Sequence, residues 1–140
     1  MKKSFTLIEI LVVSTIIALL VAVATISYSQ LNKQSRDARR KTDLEQVRAA
    51  LEMFRSNNDI YFSFNGNCSS INLSETGLDD YISTMPSDPK SPFYYRCTIS
   101  TSDYTLGARF ELTDLPASSQ CGYCSGFCNY CVGPYGQEYP

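Results

Sequence analysis

Histidine is absent from the 140 residues of this chain, and that gap removes several kinds of chemistry. Neither a Ser–His–Asp nor a Cys–His arrangement can be assembled, and no imidazole can hold a metal or shuttle protons near neutral pH. No phosphate-cradling loop or dinucleotide fingerprint occurs either. The acids Asp79, Asp80 and Asp88 are scattered, without spacing that calls for general acid–base work. An enzyme is not expected, nor a cofactor. A basic surplus is also missing. The net charge is −2, and removal of Lys2 and Lys3 would lower it further, so nucleic-acid binding by the folded part is not expected. Glycine and proline do not occur between Phe5 and Asp59, so no local breaker interrupts a helix there.

What is present begins with an apolar run. From Phe5 to Ile26 the chain is predominantly apolar, and at roughly 1.5 Å of rise per residue a helix over this stretch reaches about 33 Å. That matches a hydrocarbon core of about 30 Å. Lys2 and Lys3 place the N-terminus on the cytoplasmic side. The many β-branched residues, such as Val12, Val13, Ile16 and Ile17, also suit a strand, but the run is too long for one. Glu9 stands inside it. A charge at mid-bilayer costs about 2.5–3.5 kcal/mol on insertion scales and less near a helix end, so an intramembrane acid is read as functional. Two bland readings compete: a plain anchor, or a secretory signal cut at the A-x-A-like Ala22-Val23-Ala24. In the second case a secreted, cysteine-rich binding domain would be released after Ala24.

Lys2-Lys3-Ser4, then Phe5-Thr6-Leu7-Ile8-Glu9 and the apolar segment behind them, resemble the class III signal of type IV pilins and the related pseudopilins. The resemblance implies a cut between Ser4 and Phe5 by a prepilin peptidase, N-methylation of Phe5, and a role for Glu9 in processing or assembly. Ser4 stands where the family usually has Gly. The family's frequent proline late in the membrane segment is missing, with no proline before Pro86, so helix melting near Ile26 is not assumed. The residues alone support the same chemistry. A cut before Phe5 creates a cationic amine four residues from Glu9, on the same helical face. Between packed subunits, Glu9 could instead meet a neighbour's Phe5 amine and favour one axial stagger, because a buried charge is tolerated only when paired.

The helical signal continues past the apolar run. Leu44, Val47, Leu51 and Phe54, with Ala50 beside them, form an amphipathic stripe. Arg36, Asp37, Arg39, Arg40, Lys41, Asp43, Glu45, Arg48, Glu52 and Arg55 are assigned to the opposite face. That face is either solvated or an electrostatic contact between subunits, with i,i+4 pairs Asp37–Lys41 and Arg48–Glu52. Ser56-Asn57-Asn58-Asp59 ends the helix. Leu78 to Met85 suggests a short second helix. Strands are predicted over Phe93–Ile99 and Tyr104–Leu112, joined through Ser100–Asp103 as an antiparallel hairpin. Met85-Pro86-Ser87-Asp88-Pro89, Pro92-Phe93-Tyr94-Tyr95 and Tyr104-Thr105-Leu106 also resemble the family's proline–aspartate loop and following strands. From Leu115 to Pro140 there is no such likeness.

The predicted fold class is α+β, a long N-terminal helix whose apolar half serves membrane or filament core and whose amphipathic half packs on a small antiparallel sheet. A Cys-rich C-terminal loop follows. The division is leader 1–4, membrane or filament-core helix 5–27, and globular domain 28–140. An oxidising compartment makes the six cysteines disulfides. The expected pairs are Cys68–Cys97 plus two bonds among Cys121, Cys124, Cys128 and Cys131, nested or crossed. Zinc held by those last four thiolates is the alternative. The tyrosines fit either an exposed adhesive surface or a core of amphipathic aromatics. Asn67-Cys68-Ser69 and Asn72-Leu73-Ser74 match glycosylation sequons.

The functional expectation is a pilus subunit that forms a homo-oligomeric filament. It would sit in the cytoplasmic membrane as a precursor anchored by its apolar helix, pass through an assembly platform, and end at the cell surface. A pseudopilin of a secretion system is the runner-up.

Overall fold

A computed structural model describes residues 6–112 and 121–138, apart from the side chains at 25–27 and 137–138. The fold is α+β. Helix α1 spans Leu7–Asn58, and its backbone is helical through 25–27. The chain divides into two compact units, Met1–Gln34 and Ser35–Pro140. In the second, five strands follow: β1 Phe64–Asn67, β2 Arg96–Ile99, β3 Tyr104–Ala108, β4 Tyr130–Gly133 and β5 Gly136–Glu138. They form one sheet in the order β1-β2-β3-β4-β5, every neighbouring pair antiparallel.

The stripe Leu44, Val47, Ala50, Leu51 and Phe54 is buried, and these side chains share one core with Tyr61, Leu78, Tyr95, Ile99, Tyr104, Leu106, Tyr130 and Val132. Strand period explains the sheet's share. Cys97 and Ile99 of β2 and Tyr104, Leu106 and Ala108 of β3 are buried, as alternation on a half-covered sheet requires. Edge-to-face contacts such as Tyr61 on Tyr104, with ring centroids 5.0 Å apart, add directional packing. Helix α1 stops where turn chemistry begins. Asp59 takes a positive φ of 64°, its N–H donates to the Arg55 carbonyl, and Asn58 Nδ2 donates to the Phe54 carbonyl.

Several boundaries differ from the sequence reading. The second predicted strand ends at Ala108, short of Leu112, because the chain beyond β3 finds other partners. Asn129 takes over for Phe110, accepting from its N–H and donating to its carbonyl. The N–H groups of Glu111 and Leu112 donate to the Asp37 carboxylate. The first predicted strand starts late, at Arg96. A helix over Leu78–Met85 does not form. A single turn of α2, Leu73–Thr76, ends at Gly77 with φ 74°, and one 3-10 turn covers Leu78–Asp80. Pro86 restricts the residue before it and discourages helical continuation. Strands β1, β4 and β5 fall outside the two predicted strands. Phe64-Asn65-Gly66-Asn67 has little strand propensity, and pairing with β2 in register Gly66↔Cys97 imposes the conformation.

Gly107 is where the fold leaves no room. It pairs with Cys131 across β3 and β4, and a Cβ there would lie 2.9 Å from Cys128 Sγ and closer still to the Cys121 carbonyl oxygen. Both neighbours belong to the disulfide loop, which therefore rests on the sheet face opposite the core. Gly107→Ala is expected to destabilise the second unit by about 1–3 kcal/mol through overpacking. Thermal unfolding of the detergent-solubilised chain checks this: the melting temperature should fall, and an unchanged value would mean the loop lies elsewhere.

Candidate functional site

Thr6 and Glu9 open the helix together. Thr6 N–H and Thr6 Oγ1 both donate to Glu9 Oε2, at 3.0 and 2.9 Å, while the Glu9 N–H donates to Thr6 Oγ1 at 3.4 Å. This reciprocal arrangement is a capping box, which satisfies helix N–H groups that would otherwise lack partners. The polar side chains a turn or two further on are handled the same way. Ser14 Oγ donates to the Leu11 carbonyl and Thr15 Oγ1 to the Val12 carbonyl. Such back-bonding suits an apolar medium, where an unpaired hydroxyl would be costly. Lys2, Lys3, Ser4 and Phe5 lie outside the described residues.

Around these groups the helix is apolar on every side and uncovered. Leu7 is 83% exposed and Val23 67%, with Ile8, Ile10, Leu11, Ile16, Ile17, Leu19 and Leu20 exposed between them. The most apolar window of α1 has a mean hydropathy of 2.8 and is 0% buried. Its length and composition suffice to cross a membrane.

The second unit is organised by a buried charge. Arg40 has no exposed surface. Its Nε and Nη2 donate to the two oxygens of Asp88, each at 2.8 Å, and Nη1 donates to Asp37 at 2.7 Å and Glu111 at 3.1 Å. Arg36 makes a second two-pronged contact to Glu111, at 2.6 and 2.8 Å, and Lys90 Nζ reaches the same carboxylate at 2.8 Å. The Phe93 ring lies beneath, its centroid 5.9 Å from the Arg40 guanidinium carbon, 5.8 Å from Lys90 Nζ and 5.4 Å from the guanidinium carbon of Arg109. Burial pulls the Arg40 pKa down, but hydrogen bonds to Asp88, Asp37 and Glu111 outweigh it, and the net shift is upward. Hydrogen bonds from Arg36, opposed by burial and reinforced by Lys90 and Arg40, hold the Glu111 carboxyl well below its ordinary range.

Further along α1, acids receive tyrosine hydroxyls. Tyr95 Oη donates to Asp43 at 2.7 Å, and Tyr104 and Tyr61 Oη donate to Glu52 at 2.6 and 3.1 Å. Burial first, then the neighbouring carboxylates, raise the pKa of Tyr95 and Tyr104. Four tyrosines thus serve the interior (Tyr61, Tyr95, Tyr104 and Tyr130), while Tyr123 and Tyr135 are exposed and Tyr139 lies outside the described residues.

These contacts correct the reading of the helix charges as one solvated or intersubunit face. Asp37 pairs with Arg40 and not Lys41, and Arg48 pairs with Glu45 and not Glu52. A usable signal was present: Arg40 lies four residues before Leu44 and Arg36 four before that, so both extend the apolar stripe backward. The matching anions could not be chosen from sequence, because Asp88 and Glu111 are distant in the chain.

Cys68 is bonded to Cys97, Cys121 to Cys131 and Cys124 to Cys128, with sequence separations of 29, 10 and 4. The last two are nested, and all six cysteines are buried. Zinc at Cys121, Cys124, Cys128 and Cys131 would need thiolates, which these bonds consume. Among the described residues no group of three or more potential ligands stands ready for a metal.

Residues 1–25 match the family model described as the prokaryotic N-terminal methylation motif. The chain therefore carries the class III signal peptide found on type IV pilins and pseudopilins. Neither the curated proteins nor the solved structures include a match to it.

Removing the Arg40 charge would leave Asp88 buried without an ion-pair partner, while Glu111 would keep Arg36 and Lys90 and Asp37 would keep the N–H groups of Glu111 and Leu112. Arg40→Ala is expected to cost about 3–5 kcal/mol, the range for breaking a buried pair from one side, and Asp88→Asn in the same chain should restore part of the loss. The pH dependence follows from Glu111. Its folded pKa lies below its unfolded value, so its contribution is present above pH 4.5 and is lost as pH falls towards the folded value. Thermal unfolding as a function of pH should show an acid-side decline that Glu111→Gln flattens.

Proposed function

We propose that this chain is a structural subunit of a type IV pilus and has no enzymatic role. It is made as a precursor anchored in the cytoplasmic membrane and divided as leader 1–4, filament-core helix 5–27 and globular domain 28–140. A prepilin peptidase cuts between Ser4 and Phe5, and Phe5 is N-methylated. Subunits then leave the lipid through an assembly platform and polymerise into a fibre at the cell surface.

One observation carries this reading: the apolar surface from Leu7 to Val23 is uncovered. Burial of such surface is worth roughly 25 cal/mol per Å2, so water is the one medium it must avoid. Lipid covers it before assembly, and the same surface of neighbouring subunits covers it afterwards. The exchange is nearly even in apolar contact, so it needs a polar term to give it direction. Glu9 supplies that term by meeting a neighbour's Phe5 amine, which releases the acid from Thr6 and fixes the axial stagger. The nested disulfides of the C-terminal loop suit an exported head in an oxidising compartment, which periplasm and cell exterior both provide.

Glu9→Ala and Glu9→Gln, each introduced in the native cells, test the proposal by electron microscopy of shed and cell-bound fibres. Both variants should retain the membrane-anchored protein yet lose extracellular filaments by tenfold or more. Normal filaments in either variant would refute the role of Glu9. Wild-type cells with short periplasmic stubs, and no extracellular fibres, would replace the pilus with the pseudopilin reading.

A further inference from the structure

We propose that Asn72 is the acceptor for an N-linked glycan, and that Asn67, which heads the other sequon, is not. The two triplets have the same sequence pattern, Asn-x-Ser, and very different surroundings.

Asn67 ends β1, where it pairs with Arg96 of β2. It is half-buried, and its Oδ1 accepts from the Ser69 N–H at 3.1 Å. The residue between them, Cys68, is fully buried and bonded to Cys97, and its N–H donates to the Tyr95 carbonyl. A transferase that must hold all three residues of the triplet in its groove cannot do so without dismantling a sheet edge and moving a disulfide.

Asn72 has none of these restraints. It is exposed, as is Ser74, and Leu73 between them is half-buried. The Asn72 side chain makes no capping hydrogen bond, its backbone is extended at φ −80° and ψ 104°, and the four-residue α2 behind it contains no buried residue. The Asn72 backbone carbonyl accepts from Thr76 N and Oγ1, at 3.2 and 3.0 Å, and Leu73 packs at the edge of the core, so presenting the triplet requires melting one short turn and lifting one half-buried side chain. Segments with few buried contacts open at small free-energy cost. The site therefore remains usable after the head has folded.

The chemistry is a glycosyl transfer from a sugar carried on a polyprenyl diphosphate, catalysed by a membrane-bound oligosaccharyltransferase. Asn72 Nδ2 attacks the anomeric carbon and forms the C–N bond. The C–O bond to the diphosphate breaks, the lipid diphosphate leaves with the electron pair, and the proton lost from Nδ2 passes to a base of the transferase. No oxidant or reductant is needed. The proposal requires that the head cross the membrane, but it does not require polymerisation, so its outcome is separable from that of the filament reading.

The test is the mass of the full chain purified from its own cells, with peptide mapping, for wild type, Ser69→Ala, Ser74→Ala and Asn72→Gln. The wild type should exceed its processed polypeptide mass by a sugar-sized increment mapped to Asn72. Ser69→Ala should keep the increment in full, whereas Ser74→Ala and Asn72→Gln should lose it entirely with unchanged circular dichroism. A wild-type mass equal to the bare processed chain would overturn the proposal, as would an increment that survives Ser74→Ala or maps to Asn67.

Discussion

Placing the Arg40 guanidinium in the interior commits the head domain to most of its remaining architecture. Taking such an ion out of water costs several kcal/mol after relaxation, and the cost falls only if anions with good geometry surround it. Asp88 answers from both oxygens, Asp37 from the preceding helical turn, and Glu111 from beyond β3. Each answer fixes a segment. Asp88 seats the loop between Pro86 and Pro89, and Glu111 brings the strand exit back to α1. Asp37, already held by Arg40, captures the two N–H groups that would otherwise have extended β3. Sheet length is thereby set by an ion cluster and not by strand propensity.

The apolar stripe and the tyrosine hydroxyls complete that attachment in a graded way. Leu44 to Phe54 contribute nonspecific burial, while Tyr95 on Asp43 and Tyr104 on Glu52 add directional bonds along the same helix. On the sheet's other face the nested disulfides lie so close to Gly107 that a Cβ there would meet Cys128 Sγ and the Cys121 carbonyl oxygen. A small head with modest apolar content thus uses three devices at once: a core, a buried ion cluster and covalent staples. Small domains commonly need such additions.

Much of the fold was readable because its signals are local. The breaker-free stretch behind Phe5, the period of Leu44, Val47, Leu51 and Phe54, and the alternation around Ser100–Asp103 each depend on neighbouring residues. They specify the long helix and the central hairpin. What was not readable depends on distant partners. β1 is a strand because β2 lies beside it, and β4 and β5 pair around Pro134 and Tyr135 under the restraint of Cys131. Arg40 differs from Arg39 only in which way it faces, and its helical phase with Leu44 competes with the general preference of charges for solvent. The N-terminal site was legible as composition, since one acid in an apolar run needs a reason, and the Thr6-x-x-Glu9 spacing, a capping-box signature, already marked its partner.

The N-terminal segment and the head ask different things of their surroundings. The head pairs its buried Arg40 with Asp37, Asp88 and Glu111 of its own chain, while the residues from Leu7 to Val23 leave their apolar surface to be covered by something else. Retention of that segment in the finished protein is the claim on which the functional account stands. N-terminal sequencing and intact mass of the mature chain, isolated from membranes and from shed material, test it most directly. The account predicts a chain beginning at Phe5 with a methylated amine in both fractions. A soluble product beginning at Thr25 would contradict it.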